Sequence, residues 1–164
     1  GEAYFKVAKN TEHPFVVTAG ELEVLVTGTT FGVRAYKDEK DIQTTLESGQ
    51  VTVRVEGKSV KLVPNKQVLF NKSTMGLEVR DVDVDLYLAW ADGRLVYDNC
   101  PLEKILTDLG RWYNIDVFYS RDELRSYQFS LNMKKHEEFT QVLELIGKTG
   151  EVQFEIKDNT VIVK

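Results

Sequence analysis

The stretch that decides the fold is Arg94–Tyr119, RLVYDNCPLEKILTDLGRWYNIDVFY, because a degraded copy of it follows. A shift of 37 residues lays Leu102, Ile105, Leu106 and Leu109 on Phe139, Val142, Leu143 and Ile146. The same shift lays Gly110 on Gly147, and Ile115, Val117 and Tyr119 on Val152, Phe154 and Ile156. Apolar residues at i, i+3, i+4 and i+7 are the stripe of a helix with one buried face, and the alternation after each is that of a half-buried strand. The spacing therefore predicts β-α-β written twice, with both copies sharing one sheet, since a single unit cannot cover its own apolar faces. Thr160–Val163 after Lys157-Asp158-Asn159 adds a closing hairpin strand, the fifth of this part.

The first helix is expected to start near Asn99-Cys100-Pro101, with proline in the first turn, where its missing N–H is no loss, and to run to about Trp112-Tyr113. Asn114 and Gly150 are the residues suited to a left-handed conformation past the two helices.

Working backwards, residues 1–80 contain no helical period. Short alternations recur at Tyr4–Val7, Phe15–Val17, Leu22–Val26, Phe31–Tyr36, Ile42–Leu46, Val51–Val55, Val60–Val63 and Val68–Phe70, with turn formers between them. Strands this short and evenly spaced predict an all-β domain, an antiparallel sandwich, a barrel or a solenoid-like stack. Glu56-Gly57 is its clearest hairpin turn. Between the two parts, residues 81–93 are read as a linker with a short helix that Asp85 could cap. Trp90 is either a wedge between the domains or core packing within one. The expected division is 1–80, 81–93 and 94–164.

The chain has 164 residues, 42% hydrophobic and 29% charged, which is ordinary globular composition. The net charge is -5, and Lys and Arg alternate with Asp and Glu, so binding to a nucleic-acid backbone is disfavoured. One cysteine, Cys100, excludes an internal disulfide and any multi-cysteine metal site. No apolar run is long enough to span a bilayer, so no direct membrane contact is expected of this stretch.

Motifs with chemical potential each have a plainer reading. Gly147-Lys148-Thr149 resembles the tail of a phosphate-binding loop, but Val142 stands where that loop needs glycine, and the tripeptide closes a helix where the motif opens one. Asp81, Asp83 and Asp85 have calcium-loop spacing, yet the required glycine falls on Leu86. His13 and His136 fit no metal-ligand spacing and read as surface residues. Cys100 has no local base to make it a nucleophile. No catalytic, cofactor-binding or metal-binding residue is assigned, and no enzyme is expected. Arg111-Trp112-Tyr113 contains residue types that anchor protein interfaces, with at least one of the aromatics expected in the core.

The first half resembles the FecR domain. The resemblance rests on Gly1–Val7, Pro14–Val17, Val26–Tyr36 with its Gly28-Thr29-Thr30-Phe31, Thr45–Val51, and Leu62–Gln67. The second half, with Ala89-Trp90, Pro101-Leu102 and Arg111-Trp112-Tyr113-Asn114, is similar to the C-terminal domain of FecR-like anti-sigma factors, itself related to the secretin and TonB short N-terminal domain. Gly32 stands where the FecR pattern usually has Asn, and Asn65 where it has Gly. Asn can take the φ > 0 position of a type II turn, so the turn should survive.

This resemblance implies the periplasmic portion of a single-span inner-membrane regulator in a Gram-negative cell. Its partner would be the signalling domain of a TonB-dependent outer-membrane receptor, and its output an extracytoplasmic-function sigma factor bound through an N-terminal region outside this sequence. The expected partner surface comprises Arg111, Tyr113, Tyr119 and Arg121. The competing reading is a module that binds a glycan or small ligand on the β domain, with Tyr4, Phe15, Phe31 and Tyr36 as candidate platform aromatics.

Overall fold

The computed structural model describes residues 1–134 and 138–164, which form two compact units, Gly1–Asp92 and Gly93–Lys164. The first unit contains β1 (Glu2–Lys6), β2 (Phe15–Ala19), β3 (Leu22–Val26), β4 (Thr30–Arg34), β5 (Asp41–Ser48), β6 (Val51–Val55), β7 (Lys58–Leu62), β8 (Lys66–Asn71) and β9 (Gly76–Asp81). They make a four-stranded sheet, β2-β3-β6-β7, and a five-stranded sheet, β1-β4-β5-β8-β9, antiparallel throughout. The inward residues interdigitate in one core. Leu22, Val24, Val26, Val51, Val53, Val55 and Leu62 come from the first sheet, and Phe31, Val33, Ile42, Leu46, Val68 and Phe70 from the second. Of the three expected arrangements, this is the sandwich.

Turn chemistry sets the registers. Glu56 and Gly57 both take positive φ, 42° and 77°, the two left-handed positions of a type I′ hairpin turn. Asn65 has φ 64°, and the Lys66 N–H donates to the Val63 carbonyl at 3.3 Å, closing the type II turn that Pro64 begins. The alternation pattern missed β9, an edge strand on which Val79 is exposed and no residue is fully buried, so period-2 contrast is weak there.

Residues 81–92 fold back on the first unit. Here α1 (Asp85–Leu88) is followed by a 3-10 turn, Ala89–Asp92. Asp85 is not the cap but the first helical residue; the Asp83 carboxylate accepts its N–H at 3.1 Å. A Cβ on Gly32 would stand 2.3 Å from Leu88 Cδ2, so the bare glycine leaves the space Leu88 fills. Beside it runs a polar chain. Arg80 donates to Gln67 Oε1 and to the Tyr87 hydroxyl, and buried Gln67 donates to Thr45. Trp90 donates from its indole to the Tyr87 carbonyl at 2.8 Å.

The second unit contains β10 (Arg94–Pro101), α2 (Leu102–Tyr113), β11 (Asp116–Tyr119), a 3-10 turn Asp122–Ser126, β12 (Gln128–Lys134), α3 (Thr140–Gly147), β13 (Phe154–Lys157) and β14 (Thr160–Val163). The duplication is visible in burial. Leu102, Ile105, Leu106, Leu109 and Ile115 are buried in the first copy, and Val142, Leu143, Ile146 and Val152 at the equivalent places of the second. α2 begins one residue after Pro101, which is the last residue of β10, and ends with Asn114 at φ 54° and ψ 51°, the expected left-handed cap.

The two copies do not share one sheet. β10 pairs antiparallel with β12, while β11 pairs parallel with β14, which pairs antiparallel with β13. The closing hairpin accounts for this: β14 folds back on β13 and offers its other edge to β11, leaving the first strands of the copies to pair with each other. A register shift between Tyr97 and Cys100, with Asn99 at φ 44°, makes a bulge in β10, and pairing with β12 resumes at Cys100 and Pro101 before α2 begins.

Candidate interaction surface

The four residues expected to meet a partner lie in two groups, set at opposite ends of α2. Arg111 sits in the last turn of α2 with its side chain only 16% exposed. Its Nη1 is 4.0 Å from the buried carboxylate of Asp108, which also accepts a hydrogen bond from the Tyr97 hydroxyl at 3.1 Å and pairs with Lys104. Tyr113 is half-buried against the helical core, its ring tilted at 6.0 Å from Phe139, and burial raises its hydroxyl pKa. Trp112 packs on the same core, so both aromatics of Arg111-Trp112-Tyr113 continue the buried stripe.

Tyr119 ends β11 and lies under the guanidinium of Arg125, 4.2 Å from the ring centroid. Burial pushes its hydroxyl pKa up to about 12, against the lowering effect of Arg125. Arg125 also donates to Glu103 at 2.8 Å and to Asp122 at 2.7 Å, which ties the start of α2 to the 3-10 turn and to β11. Arg121 is 57% exposed and paired with Glu123 at 2.7 Å. A twelve-residue helix is about 18 Å long, so the Tyr119–Arg121 end and the Arg111–Tyr113 end are separate places.

Sequence reasoning missed Asp108 and Arg125, the two charges that organise these ends. Asp108 follows Lys104 at i+4 and precedes Arg111 by three, a spacing readable as helix pairing, but nothing in the sequence marks it as buried. It also missed Phe118, 60% exposed on β11, which forms the outer edge of its sheet.

The chemical motifs resolve into structural roles. Gly147 is the last residue of α3, and the Thr149 hydroxyl donates to the Ile146 carbonyl, so Gly147-Lys148-Thr149 ends a helix. Asp81 pairs with Lys66 at 2.7 Å, and among the described residues no group of His, Cys, Asp or Glu is placed to hold a metal ion. Burial pushes the Cys100 thiol pKa up, the opposite of what an activated nucleophile requires. His13 is exposed; His136 lies outside the described residues.

Of the aromatics considered as a sugar platform, only Phe15 is a largely exposed ring, 43% exposed and tilted at 6.0 Å from Phe5. Phe31 is fully buried and stacks on Phe5 at 5.0 Å, Tyr36 carries Arg34 at 4.9 Å, and Tyr4 donates to Glu47. The first unit does carry an open groove of about 420 Å³, lined by polar residues including Glu21, Glu23, Arg54 and Lys58 and by no aromatic ring.

No helix among the described residues is long and apolar enough to cross a membrane. The sequence model of the FecR protein matches residues 1–61, and that of the FecR C-terminal domain matches residues 94–163. No curated protein matches the sequence. Two crystal structures of a candidate anti-sigma factor from Parabacteroides distasonis ATCC 8503 share the fold. The first, at 22% identity and TM-score 0.83, covers 100% of this chain and 77% of that one. The second, at 23% identity and TM-score 0.82, covers 99% and 76%. With a FecR match over residues 1–61 followed by a FecR C-terminal match over residues 94–163, the chain belongs to the FecR family.

Proposed function

We propose that this chain is the periplasmic sensing portion of a single-span anti-sigma regulator in a Gram-negative cell. In this reading the second unit receives the signalling domain of a TonB-dependent outer-membrane receptor. A region outside this sequence holds an extracytoplasmic-function sigma factor on the other side of the membrane. The observation that carries the reading is the order of the two family domains in one chain, 1–61 and 94–163.

The physical character of the second unit suits such a partner. β11 is an open edge with Phe118 projecting from it, and Tyr119 and Arg121 follow directly. An edge strand offers main-chain hydrogen bonds to an incoming strand, and neighbouring side chains supply selectivity. Of the four proposed contact residues, Arg121 and Tyr119 lie at this edge, whereas Arg111 and Tyr113 would form a second contact at the far end of α2. The domain division 1–80, 81–93 and 94–164 belongs to the same proposal, with the FecR half linking the receiving half to the membrane anchor.

The test is a titration calorimetry measurement of this chain against the signalling domain of a TonB-dependent receptor from the same organism. Binding is expected, and Arg121→Glu is expected to weaken it by roughly tenfold. Arg111→Gln is the proper probe at the other end, because Arg111→Glu would set a second carboxylate beside buried Asp108. Unchanged affinity in both variants would remove these residues from the surface.

A further inference from the structure

The first unit has four edge strands, β1, β9, β2 and β7, and three of them carry charge. β1 has Glu2 and Lys6, β7 has Lys58 and Lys61, and β9 has Glu78, Arg80 and Asp81. Charged side chains on an edge strand oppose pairing with another chain. β2 is different: Phe15-Val16-Val17-Thr18-Ala19 has no charge, and Phe15 and Val16 are 43% and 46% exposed.

Its hydrogen-bonding register is fixed by the turn that follows. Gly20, at φ 60°, begins a two-residue hairpin turn joining β2 to β3, with Ala19 opposite Leu22. In such a hairpin the closing pair and every second pair beyond it exchange bonds, here Ala19–Leu22, Val17–Val24 and Phe15–Val26. The N–H and C=O of Val16 and Thr18 are thus directed away from β3, toward the open edge.

We propose that β2 is a self-association edge, where a second copy of this chain pairs its own β2 antiparallel about Val17. The sequence is complementary to itself in that register. Val16 meets Thr18 of the other copy, and each of these residues has both backbone groups free to exchange, giving four hydrogen bonds about the two-fold axis. Phe15 meets Ala19, large against small. Beyond the strand, Pro14 meets Gly20 and His13 meets Glu21, so no like charges oppose. Pro14, lacking an N–H, ends the ladder. The product is a continuous eight-stranded sheet, β7-β6-β3-β2 joined to its symmetry copy. An interface of one short strand is small, which places this dimer in the weak, concentration-dependent class.

Sedimentation equilibrium over a concentration series tests it by charge swapping. Val16→Lys/Thr18→Lys puts like charges directly opposite across the junction, and Val16→Glu/Thr18→Glu does the same with the other sign. Each variant alone is expected to self-associate at least about tenfold more weakly than the parent chain, and an equimolar mixture of the two to associate again. Val79→Lys, on the β9 edge, is expected to leave association unchanged. Both substituted positions are exposed, and circular dichroism confirms folding. In the unsubstituted chain, amide exchange at Val16 and Thr18 is expected to slow as concentration rises. A monomer at all concentrations, charge variants that associate like the parent, a mixture that stays monomeric, or exchange independent of concentration would each overturn the proposal.

Discussion

Gly32 and Leu88 are a pair in which one residue's absent side chain is the other's space. Placing Cβ on residue 32 puts it 2.3 Å from Leu88 Cδ2, far inside contact distance, so Leu88 must rotate or α1 must lift from the sheet. Gly32→Ala is expected to cost about 1–3 kcal/mol, as overpacking does. Leu88→Ala alone is expected to cost about 2–4 kcal/mol through its cavity. The double variant should be less destabilised than the sum, because the shorter residue 88 clears the clash. Strictly additive urea-denaturation free energies would show that the two do not share this space. The sequence made Gly32 visible only as a departure from a family pattern; that a leucine 56 positions later in the chain fills its missing volume is a non-local fact.

Tyr119 gives a second prediction at this scale. Its folded pKa of about 12 lies above the ordinary value of 10.0, so the folded state holds the phenol proton more tightly than the unfolded chain does. The stabilising effect is complete below pH 10 and is lost as pH rises toward 12. Ultraviolet titration should show one tyrosine ionising near pH 12 that Tyr119→Phe removes. A Tyr119→Phe spectrum titrating identically to the parent at high pH would contradict the burial argument.

Among the elements, the two helices show how far a repeat in sequence survives as a repeat in packing. Gly110 and Gly147 are equivalent by position, yet a Cβ on Gly110 would lie 3.0 Å from the Ile115 carbonyl oxygen, while one on Gly147 would meet only ordinary contacts from 3.8 Å. Alanine is the better helix former by about 0.5–1 kcal/mol. Gly147→Ala is therefore expected to stabilise by up to about that amount, and Gly110→Ala to lose the gain against the crowded carbonyl. Equal melting-temperature shifts in the two variants would refute the distinction. Helix positions, the Asn114 cap and the buried stripe were legible because they depend on local spacing and local φ. The division into two sheets was not: the closing hairpin itself was legible, but that β14 would offer its other edge to β11 is a non-local choice no periodicity encodes. Nor was the burial of Asp108, since aspartate in a helical pattern reads as solvent-facing until Tyr97, Lys104 and Arg111 are seen around it.

For the molecule as a whole, the proposed division of labour rests on what each unit presents. The sandwich buries its inward aliphatic residues with Phe31 and Phe70 in one core, and its groove is polar and open. The second unit has the open β11 edge, the exposed Phe118 and the arginine pairs around Tyr119. As separate folding domains, the two units should survive limited proteolysis as two folded fragments after cutting within residues 81–93. Loss of structure in either fragment would show that they fold as one. The central claim is that the second unit receives a receptor's signalling domain, and direct calorimetric titration of the chain with that domain tests it. The account predicts saturable one-to-one binding that Arg121→Glu weakens while Arg54→Glu, in the groove of the first unit, does not; no binding, or binding abolished by Arg54→Glu and indifferent to Arg121→Glu, would contradict it.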